Sequence, residues 1–494
     1  MIETVLVANR GEIALRVIRA CHELGMRTIA VCSEADQDAP HAWAADAAVE
    51  IGPPSAAESY LNVDKLLDVA REHDADAIHP GYGFLSENPD FAEAVQNAGL
   101  TFIGPPPDAM RALGDKAEAR RLARESDVPV VPGSNALDDP ADLEAAAREI
   151  GLPVLLKAAA GGGGKGMRLI QDESELADAI PSAQREAQGA FGDGRLFVER
   201  AVHPARHVEV QIVGDHHGNV VALGERECSL QRRHQKIIEE APSPVVDSHL
   251  REQLQASARA LAEASGYHNA GTVEFLLGPD DSFYFLEVNA RLQVEHPVTE
   301  LVTGLDLVQW QLQVAGGAPL PIAQGAVDMR GHAIEARLYA EDPSHQFLPQ
   351  TGEILDLVWP ERPGVRIDSG ILKGQFVHAH YDPMLAKLIA YGPDRERARR
   401  RLIESLEGTV LLGVITNRAY LSELLQSDFF VDAETYTHTV ESTDREEREL
   451  PMELLLAAAL AEGRSTRAST DGNASVDGDP YSPWKRLGSW RGAA

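Results

Sequence analysis

The sequence predicts a mixed α/β and α+β fold, with a doubly wound N-terminal domain ahead of two α+β regions. Three observations carry that reading. Residues 1–110 alternate apolar strand-like runs ("TVLVA", "RTIAVC", "ADAIHP", "LTFIG") with the helical period of "GEIALRVIRACHELG", the pattern of a parallel sheet with crossover helices. "FIGPPPDAM" at 102–110 interrupts the alternation, and a fresh unit begins near Asp115 and Lys116. Beyond it the strand-like runs come as neighbouring pairs, the signature of antiparallel hairpins.

Taken in order, the first strand–helix turn, "ANRGEIA", holds one glycine, so the dinucleotide fingerprint is missing where such a domain would carry it. "HPGYGFLSENP" (79–89) is a Gly/Pro-punctuated loop at a strand end, where open α/β sheets place ligand contacts. The central region predicts strands in "PVLLKA", "MRLIQD", "HVEVQIVGD" and "NVVALGE", a helix in "HLREQLQASARALAEAS", and a hairpin in "GTVEFLLGPDDSFYFLEVNARL". Residues 330–445 form a third segment with "HAIEARLYAED", "GVRIDSGI", "YDPMLAKLIAYG" and a helix "DRERARRRLIESLEG". The remainder, 446–494, turns Ser/Gly/Asp-rich and reads as a disordered tail or linker.

A length of 494 residues suits roughly two to four domains. The net charge of −32 disfavours nucleic acid and anionic membranes as partners, because the long-range field repels both. The longest apolar run, "LLLAAALA" (454–461), falls far short of a membrane span of ~20 residues. The N-terminus reads straight into a strand without a signal peptide, and three cysteines without CxxC spacing suit a reducing interior, so the expected location is cytoplasmic. Only eight of the 45 basic residues are lysine, and an acid-rich, lysine-poor surface is expected of a protein from a halophile. Four of those eight (Lys116, Lys157, Lys165 and Lys236) fall inside the motifs below.

"KAAAGGGGKGM" (157–167) imitates two phosphate motifs and satisfies neither. A P-loop needs Ser or Thr after its Gly-Lys, but Lys165 precedes Gly166; a dinucleotide fingerprint opens a helix, but "MRLIQD" alternates like a strand. The stretch therefore predicts a strand–loop–strand lid whose free N–H groups contact phosphate.

A two-residue turn at Asp280-Asp281 would set Glu274 directly opposite Glu287, with Cβ atoms ~5 Å apart. Side-chain alternation then places Glu287, Asn289, Arg291, Gln293 and Glu295 on one face if the strand continues. Two carboxylates and an amide oxygen suit Mg²⁺ or Mn²⁺ bridging nucleotide phosphates, with Arg291 for an anion and Glu295 for a base. His207, Glu209 and Gln211 share a face of "HVEVQI", while Gln231, His234 and Lys236 form a further polar set suited to an anion or ribose.

"GDKAEAR", "LLKAAAGGGGKGM", "ECSLQRRHQK" and "EVNARLQVEHPVTE" resemble the biotin carboxylase members of the ATP-grasp superfamily. "ANRGEIALR" and "HPGYGFLSEN" are similar to that family's N-terminal domain, and "RGHAIEARLYAED" to its C-terminal one. The resemblance implies an N-terminal domain at 1–114, an ATP-grasp domain at 115–328 with a mobile lid at about 131–203, and a C-terminal domain at 329–445. It implies ATP contacts from Lys116, Lys157, Gly163, Gly164, Lys165, Glu199, His207, Gln231 and His234, and two Mg²⁺ or Mn²⁺ ions on Glu274, Glu287 and Asn289. Bicarbonate would rest on Lys236, Arg291 and the Val294 backbone, with Glu295 as its base; Arg337 would stabilise the biotin enolate, with Tyr82 near the ureido ring. No methionine-flanked lysine of the biotin-carrying kind is present, so biotin is expected as a substrate borne by a separate carrier protein or domain, with a carboxyltransferase partner and a homodimer or larger assembly. Another ATP-grasp carboxylating ligase would lack these N- and C-terminal motifs, and a silent ATP-binding scaffold should have lost one of Glu274, Glu287, Arg291, Glu295 or Arg337; all five are intact.

Overall fold

A computed structural model describes residues 2–159 and 167–443. The expected tail at 446–494 and the loop residues Gly163, Gly164 and Lys165 lie outside the described residues.

The first five strands are β1 (Thr4–Val7), β2 (Arg27–Cys32), β3 (Ala47–Glu50), β4 (Ala77–His79) and β5 (Thr101–Phe102), in a sheet of order β3-β2-β1-β4-β5. All its pairings are parallel. Val5, Leu6 and Val7 are buried because helices cover both faces, which is why β1 reads as a continuous apolar run. Helix Gly11–Glu23 turns Ile13, Ala14, Val17, Ile18 and Cys21 inward at helical spacing. Strand β3 escapes the sequence reading: it is a half-buried edge strand with no apolar run. The prolines of "FIGPPPDAM" end this unit and start helix Pro107–Gly114, where a missing N–H is harmless. Helix Lys116–Glu125 follows, capped by the Asp115 side chain, which accepts from Glu118 N.

Strands β6 (Val154–Ala158), β7 (Met167–Ile170) and β8 (Leu196–Arg200) form a small separate sheet of order β7-β6-β8. Lys157 pairs with Met167 in antiparallel register, so the glycine stretch does join two strands rather than open a helix. Leu143, Val154, Leu156, Ile180, Leu196 and Val198 give this lobe a core of its own.

The main sheet contains β9 (Arg206–Gly214), β10 (Val220–Arg232), β11 (Gln235–Ala241), β12 (Asn269–Leu277), β13 (Phe283–Asn289) and β14 (His332–Tyr339). Strands Val365–Ser369 and Met384–Gly392 complete an eight-stranded sheet of order β13-β12-β9-β10-β11-β14, then Met384–Gly392, then Val365–Ser369. The central and third regions therefore share one continuous sheet, joined where β11 pairs with β14.

The β12–β13 hairpin departs from the expected turn. Glu274 does face Glu287, but a register shift between Glu274 and Phe275 pairs Leu277 with Phe283. Gly278 N donates to Ser282 O at 2.7 Å, closing a wider loop in which Asp281 takes φ 60°. The bulge absorbs one residue, so the functional pairing survives a wrong turn. The strand itself ends at Asn289, and helix His296–Thr303 begins after a short irregular run. Among the described residues no helix is long and apolar enough to cross a membrane.

Candidate active site

Three neighbouring strands bring three carboxylates into one lateral row. Glu209 on β9 is in register with Glu274 on β12, and Glu274 with Glu287 on β13. Lys236, from the start of β11, reaches into this row: its Nζ lies 2.5 Å from Glu209, 2.8 Å from Glu274 and 2.7 Å from Glu295. Burial works against the ammonium, yet these carboxylates hold its pKa well above the ordinary lysine value. Burial would likewise raise Glu295, but Lys236, then Arg337, at 3.0 Å, and Arg226 keep it ionised, far below the usual carboxylate range.

The run after β13 keeps its alternation without being a strand. Asn289 Nδ2 donates to Glu274 at 2.7 Å, and Gln293 Nε2 donates to the same oxygen at 2.9 Å. Arg291 Nη2 donates to Asn289 Oδ1 at 3.0 Å, while its Nε pairs with Glu87 at 3.0 Å. Glu87 comes from the "HPGYGFLSEN" loop and also accepts from Ala290 N at 3.0 Å, so the N-terminal domain pins this segment. Val294 offers its carbonyl to Lys387 Nζ at 2.8 Å. Lys387 lies 6.0 Å from the Tyr82 ring centroid, and the Tyr82 hydroxyl donates to Glu12.

Arg226, fully buried, ties the floor of the site together. Its Nε pairs with Glu209 at 2.5 Å, Nη1 donates to Gln211 at 2.8 Å and Thr299 at 3.0 Å, and Nη2 donates to Thr272 at 3.0 Å. His207 Nε2 is 3.0 Å from Glu274, and Gln231 Nε2 donates to His207 Nδ1 at 2.8 Å. Burial alone would lower His207, but the Glu274 charge wins and raises it.

Glu199 on β8 is buried between Lys157 and Arg120, each at 2.5 Å, which places Lys157 and Glu199 together in the small lobe. Lys116, at the start of its helix, is close enough for its charge to act on Glu287. His234 does not share the strand that carries Lys236. It sits exposed with φ 64° at the tip of the β10–β11 hairpin, beside Arg233 at φ 50°, because a tight turn there takes two left-handed residues.

Glu274 and Glu287 fit a divalent cation on their own chemistry. Glu287 is solvent-accessible, yet the protein atoms around it first, and the facing Glu274 second, push its carboxyl above the usual range. Two facing hard-oxygen carboxylates with an amide beside them relieve that repulsion by sharing a cation. His207, Glu209 and Glu274 also offer ligand atoms within 4.8 Å of one another, but there Glu209 and Glu274 are already paired with Lys236.

Comparisons with known proteins show the family. Residues 1–110 match the biotin carboxylase N-terminal domain, 115–323 the ATP-binding domain of the carbamoyl-phosphate synthase L chain, and 335–442 the biotin carboxylase C-terminal domain. A biotin carboxylase of Halalkalibacterium halodurans is 50% identical over 438 residues, covering 88% of this chain and 97% of that one. The chain belongs to the biotin carboxylase family. A family member of known structure, the biotin carboxylase domain dimer of Hydrogenobacter thermophilus 2-oxoglutarate carboxylase in complex with MgADP, ADP and bicarbonate, is 42% identical, with a TM-score of 0.84 over 90% of this chain and all of that one. The mitochondrial methylcrotonoyl-CoA carboxylase subunit alpha of Dictyostelium discoideum is 46% identical over 99% of this chain. The chain spans 70% of that subunit and 60% of its rice counterpart.

The sequence reading omits several buried or bridging residues of this cluster. Arg226, Glu239 and Lys387 stand in no short motif of paired chemistry, Glu87 and Glu335 lie inside quoted motifs without a role read for them, and each reaches the site only through sheet order or a domain contact. Glu209 carries a legible signal, the His207-Glu209-Gln211 alternation.

Proposed function

We propose that this chain performs the ATP- and bicarbonate-dependent carboxylation of biotin, the first half-reaction of an acyl-CoA or pyruvate carboxylase. The observation that carries the reading is Glu295, an ionised buried carboxylate held between Lys236 at 2.7 Å and Arg337 at 3.0 Å, beside the Glu274–Glu287 pair.

In the proposed reaction Lys116, Lys157, Glu199, His207, Gln231 and His234 contact ATP, and Gly163, Gly164 and Lys165 close over its phosphates. Glu274, Glu287 and Asn289 hold Mg²⁺ or Mn²⁺, which neutralises phosphate charge. Bicarbonate binds Lys236, Arg291 and the Val294 backbone. An arriving anion competes for the cations that now neutralise Glu295, and the freed carboxylate takes the bicarbonate proton. The bicarbonate oxygen attacks the γ-phosphorus, the bond to ADP breaks, and carboxyphosphate forms. Its decay yields CO₂ and phosphate, and the phosphate takes the N1 proton of biotin. Arg337 stabilises the resulting enolate, whose nitrogen attacks CO₂, with Tyr82 near the ureido ring. Biotin arrives on a carrier protein or domain, a carboxyltransferase uses the product, and the chain works as a homodimer or larger assembly.

ATP cleavage dependent on bicarbonate and stimulated by free biotin is the expected result. Intact nucleotide binding without biotin stimulation overturns the assignment.

A further inference from the structure

Beneath Arg337 lies a second pair of carboxylates. Glu239 on β11 and Glu335 on β14 are direct register partners, and both are 0% exposed. Direct cross-strand partners share one face of the sheet, Cβ atoms about 5 Å apart. A guanidinium reaches one of the two: Arg337 Nη2 lies 2.5 Å from Glu239, and 3.0 Å from Glu295. Among the described residues neither Glu239 nor Glu335 accepts a well-aligned hydrogen bond; what separates them is that Glu239 has the Arg337 ion pair and Glu335 has none. Its register neighbour on the other side is Ile389, which packs with Ala241, Ala333, Val298 and Val302. A carboxylate ion there would lose its hydration, gain no partner and face a like charge.

We propose that Glu335 is a positioning residue that stays protonated at working pH, leaving the pair one negative charge on Glu239 that holds Arg337 between Glu295 and bound biotin. The inference rests on Arg337 being the biotin-facing cation. Two charges on the pair would draw Arg337 into the sheet and away from Glu295. With none, Arg337 would pair with Glu295 alone and weaken it as a base.

The charged surroundings are consistent with this. Lys387 from Met384–Gly392 and Arg337 on its own strand favour ionisation of Glu335, while Glu239 and Glu295 oppose it; burial outweighs all of them, and the carboxyl rises well above its usual range. Burial raises Glu239 too, to about 7, but there Arg337 first and Lys236 on β11 after it favour the ion, so it is the member of the pair that keeps the charge. Lys387 in turn stands 3.3 Å from Glu12 and 3.9 Å from Asp368, which Arg366 pairs, while burial holds the Cys228 thiol on β10 protonated and the His296 imidazole neutral at the head of its helix.

The test is urea unfolding of the full chain, wild type against Glu335→Gln. A raised folded value means that the folded chain keeps a proton the unfolded chain has lost, so stability falls as pH rises above the ordinary carboxylate range. The amide avoids that loss, so the ratio of folding constants, variant over wild type, should climb about tenfold per pH unit between about pH 5.5 and 7.5. A pH-independent ratio, or a variant that does not fold, overturns the proposal. For positioning, Glu239→Gln should raise the biotin KM at least about tenfold while biotin-independent ATP cleavage persists, as expected when a binding contact is misplaced. An unchanged biotin KM, or equal loss of both rates, overturns that part. If biotin fails to stimulate the wild type, the functional reading falls, while the urea titration still decides whether Glu335 keeps its proton.

Discussion

Glu295 takes its character from two cations that stand 59 and 42 positions away along the chain, Lys236 and Arg337. Removing its charge while keeping its shape isolates the base. Glu295→Gln should lower turnover by about 10²–10⁴-fold, the usual worth of a positioned general base, with ATP affinity unchanged by calorimetry; retained turnover would remove this residue from the mechanism. Arg226 makes the opposite case, a buried charge with a structural task. Arg226→Met strands Glu209 in the sheet interior and should cost about 3–5 kcal/mol of stability in urea unfolding; a loss below 1 kcal/mol would show that Lys236 alone satisfies Glu209. The two residues were not equally legible. Glu295 falls on an alternating run that the sequence displays, whereas Arg226 shows its meaning only once β9 lies between β10 and β12.

At the scale of elements, period-two alternation exposes the strands and the Glu274–Glu287 pairing, but not the bulge beside them. A register shift of one residue leaves the apolar pattern unchanged on either side, so the two-residue turn looked adequate. The alternation from Asn289 to Glu295 likewise reads as strand although no ladder continues past Asn289. Its side chains still converge because the segment is pinned at Glu87 and Lys387. Contacts between elements are the least legible of all, and Gly370 shows why. A Cβ there would lie 2.6 Å from Glu12 N and 2.9 Å from the Gly11 carbonyl carbon, where the end of Val365–Ser369 meets the head of helix Gly11–Glu23. Backbone on both sides leaves nothing to rotate away. Gly370→Ala should therefore cost about 1–3 kcal/mol, read as a lower urea midpoint; an unshifted midpoint would mean that the two elements separate freely.

Across the whole molecule, buried ion pairs stand both within and between the regions that the sequence presents as separate domains. Arg10 pairs with Asp36 at 2.6 Å and stacks over Tyr381 at 4.3 Å, and Tyr381 donates to Ser33 at 2.6 Å. Arg395 and His332 hold Glu240, and Arg366 holds Asp368. Burial alone would raise all three acids, yet their partners win and hold Asp36, Glu240 and Asp368 below the ordinary carboxylate range. The unfolded chain therefore binds protons at these acids before the folded chain does. Their stabilisation is complete above about pH 5 and is lost as pH falls through the depressed folded values. Glu227 has the opposite sign: burial, against Ser229 and Ser243, pushes it up to about 7, so it subtracts stability as pH rises from the ordinary carboxylate range to that value. Urea unfolding from about pH 3 to 8 should thus give a dome, steep on the acid side and shallower on the alkaline side. Asp36→Asn should flatten the acid limb and Glu227→Gln the alkaline one. Limbs unchanged by those substitutions would mean that these buried acids do not govern how this chain answers to pH.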